Sequence, residues 1–297
     1  MLNATSELRQ LFTRSGIRTC AGAHNPAGAR VAQMVGFDAI WSSSFEISAS
    51  YCVPDASILS MSEYLHIAQS IASSVSIPVI ADCDTGYGNA ANVAYTVKRF
   101  ESAGVAGISI EDQVFPKANS LMHGVQQLIS VGEFTDKICA AKDAQVDPDF
   151  VVIARVEALI AGAGQEEAQW RATEYAAAGA DAVLIHWNQS SFEPIRAFLE
   201  EWSHSVPVVV VPTTYYSVSR NELAKLGAKM VIYANHGIRS ALSAIEDTLR
   251  SILQEGSADV VEHALWSVNR IFEQLQDVRE SKRVNTGEAL VVTPRRA

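Results

Sequence analysis

Cysteine is scarce. The 297-residue chain carries four, Cys20, Cys52, Cys83 and Cys139, far apart and with no CxxC pair. That usage argues against a disulfide framework and against structural zinc, and it fits a reducing compartment, the cytoplasm. Long apolar runs are missing as well. None reaches the ~18 residues of a membrane span. The opening segment, MLNATSELRQLFTRSG, has no apolar h-region, so neither a membrane nor a secretory route is expected. Positive charge is in deficit: 23 Lys+Arg against 33 Asp+Glu leave a net charge of −10. An acidic surface argues against a nucleic-acid partner, and an anionic substrate would need a local cation site. Finally, no GxGxxG follows the first apolar run, which speaks against a dinucleotide site.

What is present is ample material for a core. Hydrophobic residues make up 48% of the chain and charged residues 19%, a globular composition. Short apolar runs rich in Val, Ile and Ala recur at 17–23, 37–42, 77–82, 106–111, 150–155, 180–186, 206–212 and 229–234, as parallel strands buried on both faces should. Helical patterns lie between them, for example at 63–75, 90–103, 133–144 and 166–178, and several end in Ala-Gly just before the next strand. Eight strand–helix units in succession predict a (β/α)8 barrel, an α/β fold in a single domain over 1–297. An open doubly wound sheet is the alternative. The barrel core is expected over about 17–255, a C-terminal helical extension over about 256–280 and a polar tail over 281–297. Two helices are read at 237–253 and 259–280. The second exceeds what one barrel needs and is expected to pack on another subunit. Segments 43–61 and 112–131 are too long for plain βα loops, so both read as functional loops.

In a barrel, side chains at the C-terminal strand ends converge on one mouth. Here they are Trp41-Ser42-Ser43-Ser44, Asp82-Cys83-Asp84, Glu111-Asp112, Arg155 with Glu157, His186, Pro212-Thr213 and Asn235-His236. Asp82 and Asp84 are two apart, so in extended backbone they point the same way. With Glu111 on the next strand they form an all-oxygen cluster suited to a hard cation such as Mg²⁺. Capping helices or pairing with Arg155 is the plainer use of these acids. Arg155 suits a bidentate clamp for carboxylate or phosphate, or an internal pair with Glu157. His186 suits proton transfer, or a place in the core. Lys117, Asn119 and Ser120 stand in the second long loop, where a cation, an amide and a hydroxyl could close over an anionic ligand or simply be solvated. Asp55, after a proline, reads by propensity as a turn residue.

Four strings carry a resemblance to a known family: Trp41 through Asp55 (WSSSFEISASYCVPD), Ala81 through Asn89 (ADCDTGYGN), Glu111 through Ser120 (EDQVFPKANS) and Ile153 through Ala158 (IARVEA). Together they resemble the phosphoenolpyruvate mutase and phosphonopyruvate hydrolase branch of the isocitrate lyase superfamily, over roughly residues 17–280. The resemblance implies a Mg²⁺-dependent (β/α)8 barrel, a homotetramer built as a dimer of dimers, with a C-terminal helix exchanged between subunits. It implies Asp82 as direct metal ligand, with Asp84 and Glu111 acting through waters. It implies Trp41, Ser43 and Ser44 around the pyruvyl carboxylate, Arg155 and His186 on the phosphoryl group, and Lys117, Asn119 and Ser120 as a closing gate. Asp55 would stand beside the migrating phosphorus, either accepting the phosphoryl group or stabilising metaphosphate.

The lyases of this superfamily carry a Cys in the gate, within Lys-Arg-Cys-Gly-His or Lys-Lys-Cys-Gly-His. This chain reads Pro116-Lys-Ala-Asn-Ser instead, which argues against a C–C lyase. An intact set of site residues argues against a catalytically dead binding barrel. Within the branch, the mutases typically show Asn at position 119 and the hydrolase shows Thr. The implied reaction is therefore the intramolecular phosphoryl transfer between phosphoenolpyruvate and phosphonopyruvate, which forms the C–P bond in phosphonate biosynthesis. Hydrolysis of phosphonopyruvate to pyruvate and phosphate is the alternative, and the runs 55–61 and 153–162 resemble the hydrolase. The chain departs from the mutase pattern at Gln113, where Lys is usual, and at Ser44, where Gly is common.

Overall fold

The structure is a computed structural model that describes residues 3–120 and 126–275. The expected polar tail at 281–297 and the last residues of the expected extension lie outside the described residues. Eight parallel strands close into a barrel in sequential order, β1 paired with β8. The strands are β1 Arg18–Ala23, β2 Ala39–Ser42, β3 Val79–Asp82, β4 Gly107–Glu111, β5 Val151–Val156, β6 Ala182–Ile185, β7 Val208–Val210 and β8 Met230–Tyr233. Each coincides with one of the eight apolar runs, β5 extending one residue past its run, and the open-sheet alternative is set aside.

Period-two alternation decides what faces inward. Outward residues such as Ile108, Val152, Val183 and Val231 pack in the large core cluster with the surrounding helices. Inward residues, including Cys20, Ala39, Trp41, Ile80, Val151, Ile153, Leu184, Val209 and Ile232, form a separate cluster inside the barrel. Helix α1, Ala4–Thr13, contributes Leu8, Leu11 and Phe12 to that inner cluster. It therefore closes the end of the barrel at which the strands begin. Asn3 caps α1 by accepting from the Ser6 amide at 2.8 Å, and Arg9 ties it to the Phe150 carbonyl at 3.2 Å. Continuing the inward rows upward gives Ile80-Asp82, Ser109-Glu111, Ile153-Arg155, Leu184-His186 and Ile232-Ala234. In the rows Ile80-Asp82, Ile153-Arg155 and Leu184-His186 the wall changes from apolar to ionisable at the strand end.

The outer helices are α2 Pro26–Val35, α4 Met61–Ser74, α5 Ala90–Ser102, α6 Val131–Ala144, α7 Gln165–Ala177, α8 Glu193–Glu201 and α9 Arg220–Lys225, and α10, His236–Glu255, follows β8. One further helix, α3 Ser44–Ser50, lies inside segment 43–61, the first expected long loop. Ser43 starts it by accepting from the Glu46 amide at 3.2 Å.

The described residues fall into two compact units, one ending at Ala241 and the other starting at Leu242 within α10. The second unit also holds α11 Asp259–Glu262 and α12 Val268–Leu275. The expected single helix over 259–280 is thus two short helices over its described part. Ser267 interrupts it: its hydroxyl accepts from the Arg270 amide at 3.1 Å and so starts α12. Among the described residues no helix is long and apolar enough to cross a membrane.

Candidate active site

A cavity opens at the strand C-termini. Ten of the twelve expected site residues line it: Trp41, Ser43, Ser44, Asp55, Asp82, Lys117, Asn119, Ser120, Arg155 and His186. Phe45, Val211, Thr213, Ala234 and Asn235 complete the wall. The other two, Asp84 and Glu111, are buried and do not line the cavity.

The acids are placed differently from the simple strand-end picture. β3 ends at Asp82, and Asp84 has φ 49°, in the left-handed region. Its side chain is therefore set by a tight turn, completed by Gly86 and Gly88 at positive φ, and not by strand alternation. The Glu111 amide donates to the Asp84 carbonyl at 2.8 Å and pins that turn to the end of β4. Among the described residues, no group of three His, Cys, Asp or Glu side chains is arranged to hold a metal ion. Two of the three acids meet basic side chains instead. Lys117 Nζ lies 2.6 Å from Asp84 Oδ1, and Arg155 Nε lies 3.3 Å from Glu111 Oε2.

Lys117 is the centre of one half of the site. Its ammonium also reaches Asp55 Oδ1 at 2.9 Å and donates to Ser44 Oγ at 3.1 Å, while Ser44 Oγ donates to Asp82 Oδ2 at 2.8 Å. The Asn119 amide donates to Asp55 Oδ2 at 2.7 Å. Asp55 does sit in a turn, as propensity suggested, yet its side chain is only 7% exposed and its two oxygens face Lys117 and Asn119.

Glu157 is the centre of the other half, and the sequence reading gave it no role beyond a partner for Arg155. It is fully buried. It accepts from Arg155 Nε, faces His186 Nδ1 at 2.9 Å and accepts from Ser120 Oγ at 3.1 Å. Arg155 Nη2 lies 2.6 Å from the same His186 nitrogen and donates to Ser120 Oγ at 3.2 Å. The internal pairing weighed for Arg155 is therefore present, and the guanidinium still borders the cavity. Asp112 supports the group from behind: its carboxylate accepts from the Glu157 amide at 2.9 Å, from Tyr175 at 2.7 Å and from Arg171 at 3.1 Å.

These contacts set the charges. Burial would raise Glu157, but Arg155 and His186 outweigh it and hold the carboxyl down at about 2. Burial, then Arg155, lowers His186, so the imidazole is neutral near pH 7. Burial would lower Lys117, but Asp84, Asp55 and Glu111 outweigh it and keep the ammonium charged. Burial pushes Asp84 up to about 6, against the pull of Lys117 and with repulsion from Asp82 and Asp55 adding. Burial also raises Glu111 well above the carboxylate range, against Arg155 and Lys117 and with help from Glu157. Five carboxyl groups (Asp55, Asp82, Asp84, Glu111, Glu157) thus share two cations, Lys117 and Arg155. Glu111 Oε1 and Asp84 Oδ2 lack a hydrogen-bond partner among the described residues, while Asp84 Oδ1 is taken by Lys117. Buried, unsatisfied carboxylate oxygens in negative excess are what a hard divalent cation relieves, so the residues present fit one.

A further buried acid, Glu46 on α3, was missed in the sequence. It faces His24 Nδ1 at 3.0 Å, and its Oε1 lies over Gly22. A Cβ at Gly22 would stand 2.1 Å from the Ala234 carbonyl oxygen and 2.3 Å from Glu46 Oε1, so only glycine fits there. The available signal was faint: a glutamate three residues after a helix-capping serine.

Comparison with known proteins agrees with this geometry. The sequence profile of the phosphoenolpyruvate phosphomutase family matches residues 8–253. A phosphonopyruvate hydrolase from Variovorax sp. (strain Pal2) is 49% identical over 274 residues, 92% of this chain and 94% of that protein. The crystal structure of a phosphoenolpyruvate phosphomutase from Streptomyces platensis subsp. rosaceus superposes with a TM-score of 0.92 at 52% identity, covering 96% of this chain and 99% of that one. A phosphonopyruvate hydrolase in complex with oxalate and Mg²⁺ superposes with a TM-score of 0.90 at 45% identity, covering 98% and 100%. With a profile match running from α1 into α10, the chain belongs to the phosphoenolpyruvate phosphomutase family.

Proposed function

We propose that this protein interconverts phosphoenolpyruvate and phosphonopyruvate. The observation that carries the reading is the Asn119 carboxamide on Asp55 at 2.7 Å, with Lys117 on the other carboxylate oxygen at 2.9 Å. Two gate residues thereby cover the carboxylate beside which phosphorus would pass. Covering matters because water is the competing acceptor: a mutase must return the phosphoryl group to its own pyruvyl fragment before water takes it. The streptomycete phosphomutase, at 52% identity, supports the same reading.

In this reading the phosphorus–oxygen bond of phosphoenolpyruvate breaks and a phosphorus–carbon bond forms at C3, with no net uptake of water or protons. Trp41, Ser43 and Ser44 hold the pyruvyl end. Arg155 presents its guanidinium to the phosphoryl oxygens through a loose, metaphosphate-like transition state, and neutral His186 donates or accepts there according to its tautomer. Glu157 keeps both oriented. Asp55 stabilises or transiently accepts the transferring group. Asp82, with Asp84 and Glu111 behind it, would hold Mg²⁺, which when bound offsets charge growing on the pyruvyl oxygens.

Hydrolysis to pyruvate and phosphate is the second reading, favoured by the Variovorax relative at 49% identity. Phosphorus NMR of the enzyme with Mg²⁺ and phosphonopyruvate separates the two. Phosphoenolpyruvate identifies a mutase, inorganic phosphate a hydrolase, and an unchanged spectrum removes both. Asn119→Thr is expected to slow mutase turnover and to raise the share of phosphate, since the shorter side chain leaves Asp55 uncovered and admits water. An unchanged phosphate-to-phosphoenolpyruvate ratio would remove Asn119 as the discriminator.

We also place the expected homotetramer with an exchanged C-terminal helix here. α10 exposes Leu242, Ile245, Leu249 and Leu253, one side of a helix by spacing, and α12 exposes Val268, Phe272 and Leu275. A monomeric molar mass by light scattering would end that proposal.

A further inference from the structure

Gln113 lies outside every role given above, yet it is 1% exposed and stands directly after Glu111-Asp112. Its backbone forms the neck of the gate, bridged antiparallel to Leu128, with the Val114 amide donating to the Gln127 carbonyl at 2.9 Å and the Ile129 amide donating to the Asp112 carbonyl at 3.0 Å. Its side chain turns under the gate. Oε1 accepts from the Ala118 amide at 3.3 Å, and Nε2 donates to Ser120 Oγ at 3.3 Å. Those two residues flank Asn119. One carboxamide therefore grips the chain on both sides of the residue that covers Asp55.

The grip extends to the catalytic groups through Ser120. A hydroxyl has one proton and two lone pairs. Ser120 Oγ donates to Glu157 at 3.1 Å and accepts from Arg155 at 3.2 Å as well as from Gln113, which fills its capacity. A lysine at position 113 could donate to Ser120, but it has no acceptor for the Ala118 amide. Glutamine holds both sides, and this is the physical content of the departure noted in the sequence.

We propose that Gln113 is a positioning residue that sets the gate segment 117–120 over Asp55, and through it the partition of the phosphoryl group between the pyruvyl fragment and water. The partition half rests on the function proposed above; the gate half does not.

Gln113→Met keeps the side-chain volume and removes both hydrogen bonds. The first readout needs no turnover: limited trypsinolysis of the full chain, scored by mass for cleavage after Lys117, which is buried when the gate is held. Cleavage should speed up about tenfold, the factor expected from losing one to two net hydrogen bonds that oppose local opening. The second readout is the product ratio from phosphonopyruvate under Mg²⁺. Phosphate should rise relative to phosphoenolpyruvate, and kcat should fall more than KM rises, which loss of bulk packing would not produce. Gln113→Glu keeps an acceptor for Ala118 and should fall between wild type and Gln113→Met in trypsinolysis; it also decides the matter if the Met variant does not fold. Wild-type cleavage rates in both variants would overturn the proposal. Faster cleavage with an unchanged product ratio would overturn its partition half. A wild-type enzyme that converts no phosphonopyruvate would instead remove the proposed function, and the trypsin result would still judge the gate half.

Discussion

Asp55→Ala should fold like the wild type and lose roughly a thousandfold in turnover, the scale seen when a group that stabilises transition-state charge is removed. The fold should survive because Asp55 sits in a turn outside the barrel strands and the ammonium it pairs with stays paired: Lys117 keeps Asp84 at 2.6 Å and Ser44 at 3.1 Å. Phosphonopyruvate should still bind, since Trp41, Ser43, Ser44, Arg155 and His186 are untouched. Calorimetric titration would follow binding and phosphorus NMR would follow turnover. Near-wild-type turnover would show that the carboxylate does not face the migrating group, and the role assigned to its Asn119 and Lys117 partners would go with it.

The second large effect concerns the metal. Chelation by EDTA should abolish turnover, and added Mg²⁺ should restore it. Asp82→Ala should lose activity that Mg²⁺ cannot restore, because this is the carboxylate of the three that lines the cavity. Asp84→Ala should lose about 10–100-fold, as supporting residues around metal sites do. The order follows from position: Asp84 lies buried on Lys117, away from the cavity wall. Protonation of Asp84, whose carboxyl burial raises to about 6, competes with a cation, so Mg²⁺ affinity should weaken as pH falls through that value. Full activity of EDTA-treated Asp82→Ala would remove the metal assignment.

The barrel and much of its mouth were legible in the sequence for one reason. Period-two alternation in buried strands is a local property, so Ile80-Asp82 and Ile153-Arg155 announce both a wall and the height at which it becomes chemical. Helices marked by long amphipathic stretches were equally plain. The short ones were not. α3 has seven residues in a serine-rich stretch, and α1 presents too few turns to stand out from a polar terminus. The turn at Asp84 also escaped, because an aspartate visits left-handed backbone only when its neighbours demand it, here Gly86 and the bond from Glu111. What stayed hidden in the site were its long-range pairings. Lys117 meets Asp55 across 62 positions of chain, and Glu157 gathers Ser120 from the loop after β4 and His186 from the end of β6. No window on the sequence contains both members of such a pair. Glu157 could have been suspected, two residues beyond Arg155. Gln113 was visible as an oddity, and its purpose became readable once Ala118 and Ser120 were seen on either side of Asn119.

Helix α1 has a consequence for traffic. With Leu8, Leu11 and Phe12 packed into the end of the barrel where the strands begin, and Ile80, Ile153 and Leu184 stacked between them and Trp41, the reaction chamber has a solid floor. It is a cul-de-sac. In the proposed reaction, substrate would arrive and product depart on the face that Lys117, Asn119 and Ser120 line, so entry and exit would not overlap in time. A second substrate would then wait until the first product had gone, and the stretch of chain proposed to shield the chemistry would also be the doorkeeper of the queue.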